Sequence, residues 1–296
     1  MKIIKLKSPA KINLFLEVAG KRKDGYHDLI TVFAKINICD YISIEKISSN
    51  GIKVNMKNNS NLRLKKSEDN IIHKTALRFF EEFKITPNVK IKLEKNIPVG
   101  AGLGGGSANS AMVLSGLCRI YGIDLKTNRK KLVLVAKSLG ADVPFFLSDS
   151  SFCVGRGIGD RLYPFKVKKK AYFILLVYPG IPVSTKVAYS NLKLPSKKKT
   201  DFNNAKCLKL VKGLKMAKDL AEIKDLPMNR FEESVFPKYP AIMKVKEKMM
   251  SLGADIAMMS GSGSSVFGVF SSAVAVKKAA KQISSAKNRV FLTKFL

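Results

Sequence analysis

No stretch of this sequence approaches the ~18 uncharged apolar residues that a membrane-spanning helix requires, so a membrane span is excluded. Histidine occurs only twice, which excludes a histidine-rich metal site. Cysteine is sparse as well: Cys39, Cys118, Cys153 and Cys207 lie 79, 35 and 54 residues apart. That spacing fits neither a zinc site nor a disulfide framework, and a reducing cytoplasm is the expected setting. Acidic residues are scarce, 22 against 54 lysines and arginines, for a net charge of +32. Such an excess raises nucleic acid or a membrane surface as a partner. Yet the longest all-basic runs, as at 168–170 and 197–199, are three residues long, and no aromatic interleaving or RNA-binding signature accompanies them. The lysines therefore read as spread over solvated faces, with neither nucleic acid nor membrane expected as a partner. A field of this sign still attracts a small phosphorylated substrate.

What is present is an ordinary globular composition, 46% hydrophobic and 26% charged over 296 residues. It suffices for one large domain or two of moderate size. The opening residues alternate charge with hydrophobe, the pattern of a strand and not of a signal-peptide core. Over residues 11–18, Ile12, Leu14, Leu16 and Val18 share one face of a strand and Lys11, Asn13 and Phe15 the other. Residues 34–47, 51–56 and 89–95 alternate likewise. Cap residues at 67–70 predict a helix that runs to about residue 84. Two further helices are predicted, one after a glycine-rich run to about Tyr121 and one over about 128–139, stopped by Gly140. In the second half, 172–178 reads as a buried strand and 191–204 as an exposed polar loop. Helices follow at about 205–220 and 231–252, strands at 256–260 and 266–270, a helix at about 273–285 and a strand at 289–294. This order implies an α+β sandwich, with a boundary between residues 150 and 165.

Five glycines, Gly100, Gly102, Gly104, Gly105 and Gly106, fall within seven residues just before a helix. Glycine lets the backbone approach a ligand, and a helix N-terminus offers unpaired N–H groups and partial positive charge. The run therefore reads as a phosphate loop. It lacks the Gly-x-x-x-x-Gly-Lys-[Ser/Thr] pattern of a P-loop. Gly100-x-Gly102-x-x-Gly105, with Asp124 19 residues on, matches a dinucleotide fingerprint. The preceding strand is amphipathic and Pro98 interrupts it, whereas that fingerprint requires a buried parallel strand leading straight into the first glycine.

Four blocks carry a resemblance to a known family. Pro98-Val-Gly-Ala-Gly-Leu-Gly-Gly-Gly-Ser-Ala-Asn109 resembles the ATP loop of the galactokinase, homoserine kinase, mevalonate kinase and phosphomevalonate kinase (GHMP) superfamily. Ser8-Pro-Ala-Lys-Ile-Asn-Leu-Phe-Leu16 with Lys23-Asp-Gly-Tyr-His-Asp28, and Leu139-Gly-Ala-Asp-Val-Pro-Phe145, resemble the 4-diphosphocytidyl-2-C-methyl-D-erythritol kinases of the non-mevalonate isoprenoid pathway. Gly261-Ser-Gly-Ser-Ser-Val-Phe267 resembles the third glycine motif of that family. The blocks keep the family's order from residue 8 to 267, and the departures are the lysine excess and the lysine-rich stretch at 193–199.

The resemblance implies a two-lobe α+β fold: an N-terminal ATP-binding lobe over residues 1–158, with left-handed crossover topology, and a C-terminal ferredoxin-like α/β sandwich lobe over 159–296. The implied site lies in the cleft between them. The implied reaction moves the γ-phosphate of ATP to the 2-hydroxyl of the methylerythritol unit. Pro98, Gly100, Gly102, Leu103, Gly104, Gly105, Gly106, Ser107 and Asn109 would hold ATP, with Gly261, Ser262 and Gly263 as the third glycine motif. Mg²⁺ is expected, held mainly by the phosphates, with Ser107 the candidate side-chain ligand. Ser107 also stands where a helix N-cap is expected. Asp142, on a short turn between Gly140 and Pro144, would accept the hydroxyl proton; an isolated Asp there is ordinarily a turn residue. Lys11, ordinarily a solvated strand lysine, would stabilise transition-state charge. Asn13 would position substrate, Tyr26 and His27 would hold cytosine, and Tyr189 would stack on its other side with Thr185 near. The expected partner is a small molecule carrying a cytidine diphosphate group, and the expected assembly a monomer or weak homodimer. Two rivals follow: a sister kinase for homoserine or mevalonate, against which Asp24-Gly-Tyr-His27 argues, and a basic nucleic-acid-binding protein, which lacks any module.

Overall fold

The computed structural model describes residues 2–59, 70–168, 172–190 and 192–296. The expected cap residues Ser67, Glu68 and Asp69, and also Lys169, Lys170 and Asn191, lie outside these. In chain order the elements begin β1 (Ile3–Lys21), β2 (His27–Lys46), β3 (Gly51–Asn58), α1 (Ile71–Phe83), β4 (Asn88–Lys95), α2 (Gly105–Tyr121), α3 (Arg129–Leu139) and α4 (Val143–Leu147). They continue with β5 (Phe152–Arg156), β6 (Arg161–Phe165), β7 (Phe173–Tyr178), α5 (Thr185–Ser190), α6 (Lys197–Lys215), α7 (Leu220–Ile223), β8 (Met228–Asn229) and α8 (Glu232–Val235). The last are α9 (Pro240–Ser251), β9 (Ile256–Met259), β10 (Val266–Phe270), α10 (Ala273–Ile283) and β11 (Arg289–Thr293). Among the described residues, no helix is long and apolar enough to cross a membrane.

The chain divides into two compact units, and both long strands contribute to each. The first comprises Met1–Ala10, Ile38–Val99 and Gly104–Asp149. Its strands follow the order β3, β4, the second part of β2 and the first part of β1. β3 pairs in parallel with β4, and β4 runs antiparallel to β2 with Ile42 opposite Leu93 and Ile44 opposite Ile91. Those apolar residues form one buried face. The middle of α2 closes against it: a Cβ at Gly116 would meet Ile44 Cδ1 at 2.5 Å and Leu6 Cδ1 at 2.8 Å, so helix and sheet approach to a distance that only glycine permits. α1 begins as its sequence predicts, with the Asn70 side chain accepting from Ile72 N at 2.9 Å, and buries Ile72, Ala76, Phe79 and Phe80 along one stripe.

The second unit comprises Lys11–Asn37, Gly100–Leu103 and Ser150–Leu296. One sheet follows the order β8, β1, β2, β5, β6 and a second the order β11, β7, β10, β9. The second is antiparallel throughout. Its β7, β9 and β10 residues share one core with Leu16 and Val18 of β1, Phe231, Ile242 and Met249.

Three expectations need correction. The stretch 191–204 is not wholly loop: α6 begins at Lys197, capped by Ser196, whose hydroxyl accepts from Lys199 N at 3.3 Å. The helix expected from about 205 to 220 is therefore the later part of α6, with the separate short α7 after it. The single helix expected at 231–252 is two, α8 and α9, because Pro237 and Pro240 cannot continue a helix; Pro240 lies in the first turn of α9.

Candidate active site

In the first unit, Asp40 is fully buried and accepts from Lys95 Nζ at 2.5 Å, Asn96 N at 2.7 Å and Ile97 N at 2.8 Å. This fixes the chain where it leaves β4 for the glycine run. A Cβ on Gly105 would lie 2.9 Å from Lys95 Nζ, so the first turn of α2 rests on that ion pair. The N-cap of α2 is Gly104, at φ +67° and with no capping side chain. Ser107 is thus the third helical residue and not the N-cap that its position suggested. The first N–H groups of α2 are left without a side-chain cap, which is the arrangement that accepts a phosphate oxygen. Asn109 lies one turn on, and its Oδ1 is buried without a hydrogen-bond partner among the described residues. The turn after α3 comes close: a Cβ at Gly140 would stand 3.8 Å from Ser107 Oγ. Asp142, half-buried, is the N-cap residue of α4, with Pro144 in the first turn. This unit thus joins Ser107 to the turn that carries Asp142.

In the second unit, Lys11 is 5% exposed and Asn13 only 1%. The strand face that carries them is covered. Lys11 Nζ donates to Asn13 Oδ1 at 2.7 Å, Asn13 Nδ2 to Thr31 Oγ1 at 2.8 Å, and Thr31 Oγ1 to the Phe15 carbonyl at 2.8 Å. Each donor fixes the orientation of the next group, so the asparagine presents its oxygen to the ammonium. The Lys11 amide N–H also donates to the Leu103 carbonyl at 3.0 Å, tying β1 to the glycine run. The third glycine motif meets the same run. Ser260 Oγ donates to the Gly102 carbonyl at 3.0 Å, and Ser265 N to Ala101 O at 3.2 Å. Gly102 has φ +76°, and a Cβ there would fall 2.0 Å from the Ser260 carbonyl oxygen, so no other residue fits.

The turn Asp24-Gly-Tyr-His27 is clamped by Arg22, whose guanidinium donates to Asp24 (Nε–Oδ2 3.0 Å) and Asp28 (Nη1–Oδ1 3.1 Å). The Asp24 carboxylate also accepts from Tyr26 N at 3.1 Å. That Arg22 bond, ahead of the backbone one, holds the Asp24 carboxyl below the usual range. His27 stacks on Tyr189, ring centroids 4.5 Å apart and planes 21° off parallel, and Tyr189 packs edge-on against Phe231. Burial, followed by the charge of Lys21, holds the His27 imidazolium below its usual pKa, favouring the neutral ring. Tyr26 projects outward, 60% exposed. Thr185 and Tyr189 stand one turn apart on α5; the Thr185 hydroxyl lies 3.0 Å from Ser262 Oγ. Thr185 is thereby joined to the third glycine motif.

The family described as "GHMP kinases N terminal domain" matches residues 70–150, and "GHMP kinases C terminal" matches 208–289. The 4-diphosphocytidyl-2-C-methyl-D-erythritol kinase of Syntrophotalea carbinolica is 37% identical over 94% of this chain and 93% of its own. The chain belongs to the 4-diphosphocytidyl-2-C-methyl-D-erythritol kinase family. The kinase of the same name from Methylacidiphilum infernorum is 40% identical over 89% of this chain and 85% of its own. A solved 4-(cytidine 5'-diphospho)-2C-methyl-D-erythritol kinase superposes with a TM-score of 0.78 at 29% identity, over 99% of both chains. The fold is accordingly the two-lobe α+β fold of GHMP kinases, and the chain is a small-molecule phosphotransferase.

Sequence reasoning missed several residues that hold this kinase's motifs in place. Thr31, Asp40 and Lys95 stand in strands with nothing local to single them out. Arg22 had a signal, since Asp24 and Asp28 bracket the turn at distances a guanidinium can span.

Proposed function

We propose that this chain transfers the γ-phosphate of ATP to the 2-hydroxyl of 4-diphosphocytidyl-2-C-methyl-D-erythritol, an early step of the non-mevalonate isoprenoid route. The Asp142 carboxylate takes the proton as the acceptor O–H breaks. The 2-oxygen forms its bond to the γ-phosphorus, and the bond to the β-bridging oxygen breaks to release ADP. Lys11 stabilises the charge that accumulates on the moving phosphoryl group, and Asn13 holds its ammonium in place. Pro98, Gly100, Gly102, Leu103 and Gly104–Ser107 cradle the triphosphate, with Asn109 and the motif at Gly261, Ser262 and Gly263 assigned to the same ligand. Neutral His27 reads the hydrogen-bonding edge of cytosine, with Tyr26, Tyr189 and Thr185 around the nucleotide.

Among the described residues, no group of three His, Cys, Asp or Glu side chains is placed to hold a metal. The oxygen donors present suit a magnesium ion held mainly by phosphates, with the Ser107 hydroxyl as its protein ligand, and such an ion would neutralise phosphate charge.

The observation that carries this reading is the buried ammonium of Lys11, aimed by Asn13 and tethered to the glycine run. A lysine ammonium held this far out of solvent costs stability unless other groups compensate it, so its place here is argued as functional. The deciding experiment is ADP release with the cytidine diphosphate substrate, mevalonate and homoserine offered separately. Turnover with the first alone is expected. Comparable turnover with either of the others would overturn the substrate assignment.

A further inference from the structure

Asn229 takes no part in the reading above, yet it is buried and every polar atom of its side chain is engaged. Its Nδ2 donates to the carbonyls of Met259 at 2.7 Å and Gly261 at 2.8 Å, and its Oδ1 accepts from Phe231 N at 3.0 Å. One primary amide thus closes its own turn and grips the backbone on the approach to the third glycine motif. No other side chain of that size supplies two donors and an acceptor; aspartate supplies only acceptors. Met259 N in turn donates to Glu232 Oε1 at 2.8 Å, so this residue is held at both its N–H and its carbonyl.

The backbone of Asn229 is equally constrained. β8 is two residues long and pairs in parallel with β1, setting Asn229 opposite Leu16. The next residue locks the pairing. Arg230 N donates to the Leu16 carbonyl at 2.8 Å, and its guanidinium binds Glu17 through two bonds of 2.7 Å. Asn203 of α6 donates to the same buried carboxylate. β1 also carries Lys11, so the path closes on itself. A Cβ built on Gly261 would stand 3.4 Å from Lys11 Nζ and 3.0 Å from the Gly102 carbonyl oxygen. From Lys11 along β1 to Leu16, across to Asn229, through its amide to Gly261 and back to Lys11, each link is a covalent segment, a hydrogen bond or a close approach.

We propose that Asn229 is a positioning residue for phosphoryl transfer: it fixes the Gly261 peptide so that the Lys11 ammonium and the glycine run at Gly102 keep one spacing. This rests on Lys11 as the charge stabiliser. The two ideas are separated by a double-mutant cycle between Asn229→Asp and Lys11→Ala, with hydrogen exchange of the amides at 260–265 measured alongside. Asn229→Asp preserves shape and the acceptor but removes both donors and sets a carboxylate oxygen against two carbonyls. It is expected to lower kcat roughly 10–100-fold, the scale of a displacement of about 1 Å, and to speed exchange at 260–265. In the Lys11→Ala background it should lower kcat far less, because the ammonium it positions is gone.

Full multiplication of the two defects would overturn the proposal, as would an unchanged kcat for Asn229→Asp with Lys11 present. If Lys11→Ala alone leaves kcat intact, the assignment of Lys11 fails and with it the route through the ammonium. Asn229 then stands as the positioner of the glycine motifs only if Asn229→Asp still lowers kcat and speeds exchange at 260–265. Unchanged exchange sinks it. Should Asn229→Asp not fold, Asn229→Ser, which keeps a hydroxyl but spans neither carbonyl, is read by the same cycle and the same exchange.

Discussion

Two regions of the second unit solve opposite problems. Around Lys11 every polar group is buried and oriented by the next, from the ammonium through Asn13 and Thr31 to a carbonyl of the same strand. Around Tyr26 the turn stands in solvent, held by exposed bonds from Arg22 to two aspartates. Exposed pairs of that kind contribute little to stability, so the turn is the more easily deformed of the two. The difference matches the roles proposed above for the two regions. Where charge develops in a transition state, dipoles must be aimed beforehand. Where a base is merely gripped far from the reacting bond, binding energy can do the aiming when the ligand arrives.

The sharpest way to break that contrast is at the two residues proposed as catalytic. Asp142→Asn and Lys11→Ala should each lower kcat by roughly 10²–10⁴ while ATP affinity and folding change far less. Serving one transition state, their losses should not multiply. Steady-state kinetics of the two single variants and the double variant check this, and a double defect equal to the product would dissolve the pairing.

Next in size come two glycines of the same run. Gly100→Ala meets nothing within 4 Å and incurs only the left-handed backbone penalty, about 1–2 kcal/mol. Gly102→Ala carries the same penalty plus a Cβ 2.0 Å from a carbonyl oxygen, so it should lose more stability and raise the KM for ATP more steeply. Thermal melts and calorimetric ATP titrations on the pair decide it; equal effects would show that the Ser260–Gly102 approach is not a constraint.

At the residues proposed to recognise the base the expected changes are smaller. Tyr189→Ala should weaken both the cytidine and the uridine substrate, by about 1–3 kcal/mol, the value of one base–aromatic stack. His27→Ala should mainly erode the preference for cytidine. Because His27 rests on Tyr189, removing the tyrosine should also loosen the histidine and take part of that preference with it. Kinetics with both substrates on both variants test the coupling, and a Tyr189→Ala enzyme with undiminished selectivity would separate the rings functionally.

The smallest effect is one of pH. His27 binds fewer protons in the folded chain than in the unfolded one, its pKa being depressed first by burial. Stability from this group is therefore complete above the ordinary value of 6.5 and falls as the pH drops below it toward the folded value. The KM for the cytidine substrate should correspondingly stay level down to pH 6.5 and rise only in more acid buffer. A rise centred at 6.5 itself would mean that the ring titrates as if exposed.

The strands and helices around the motifs were legible because their periodicity is strong and their caps are local, as with Asn70 ahead of α1. α6 was not, since its first turn, Lys197–Thr200, is all polar and its buried positions begin only at Asn203, Cys207 and Leu210. β8 carries no periodic signal at two residues, so Asn229 could not be picked out; its importance arises from contacts with residues 30 or more positions away. Motif membership singled out Lys11, Asn13 and the glycines as candidates. It carried no information on Thr31, or on the bond from Arg230 to Glu17, whose partners are distant in sequence.

Because each long strand serves both compact units, the chain passes from one unit to the other at 10/11, 37/38, 99/100, 103/104 and 149/150. A gene hybrid made by a single crossover between two relatives always leaves at least one unit of mixed parentage, wherever the joint is placed. Buried pairs such as Asp40 with Lys95 and Glu17 with Arg230 would then have to match across lineages. A protein threaded in this way is poorly suited to trading segments.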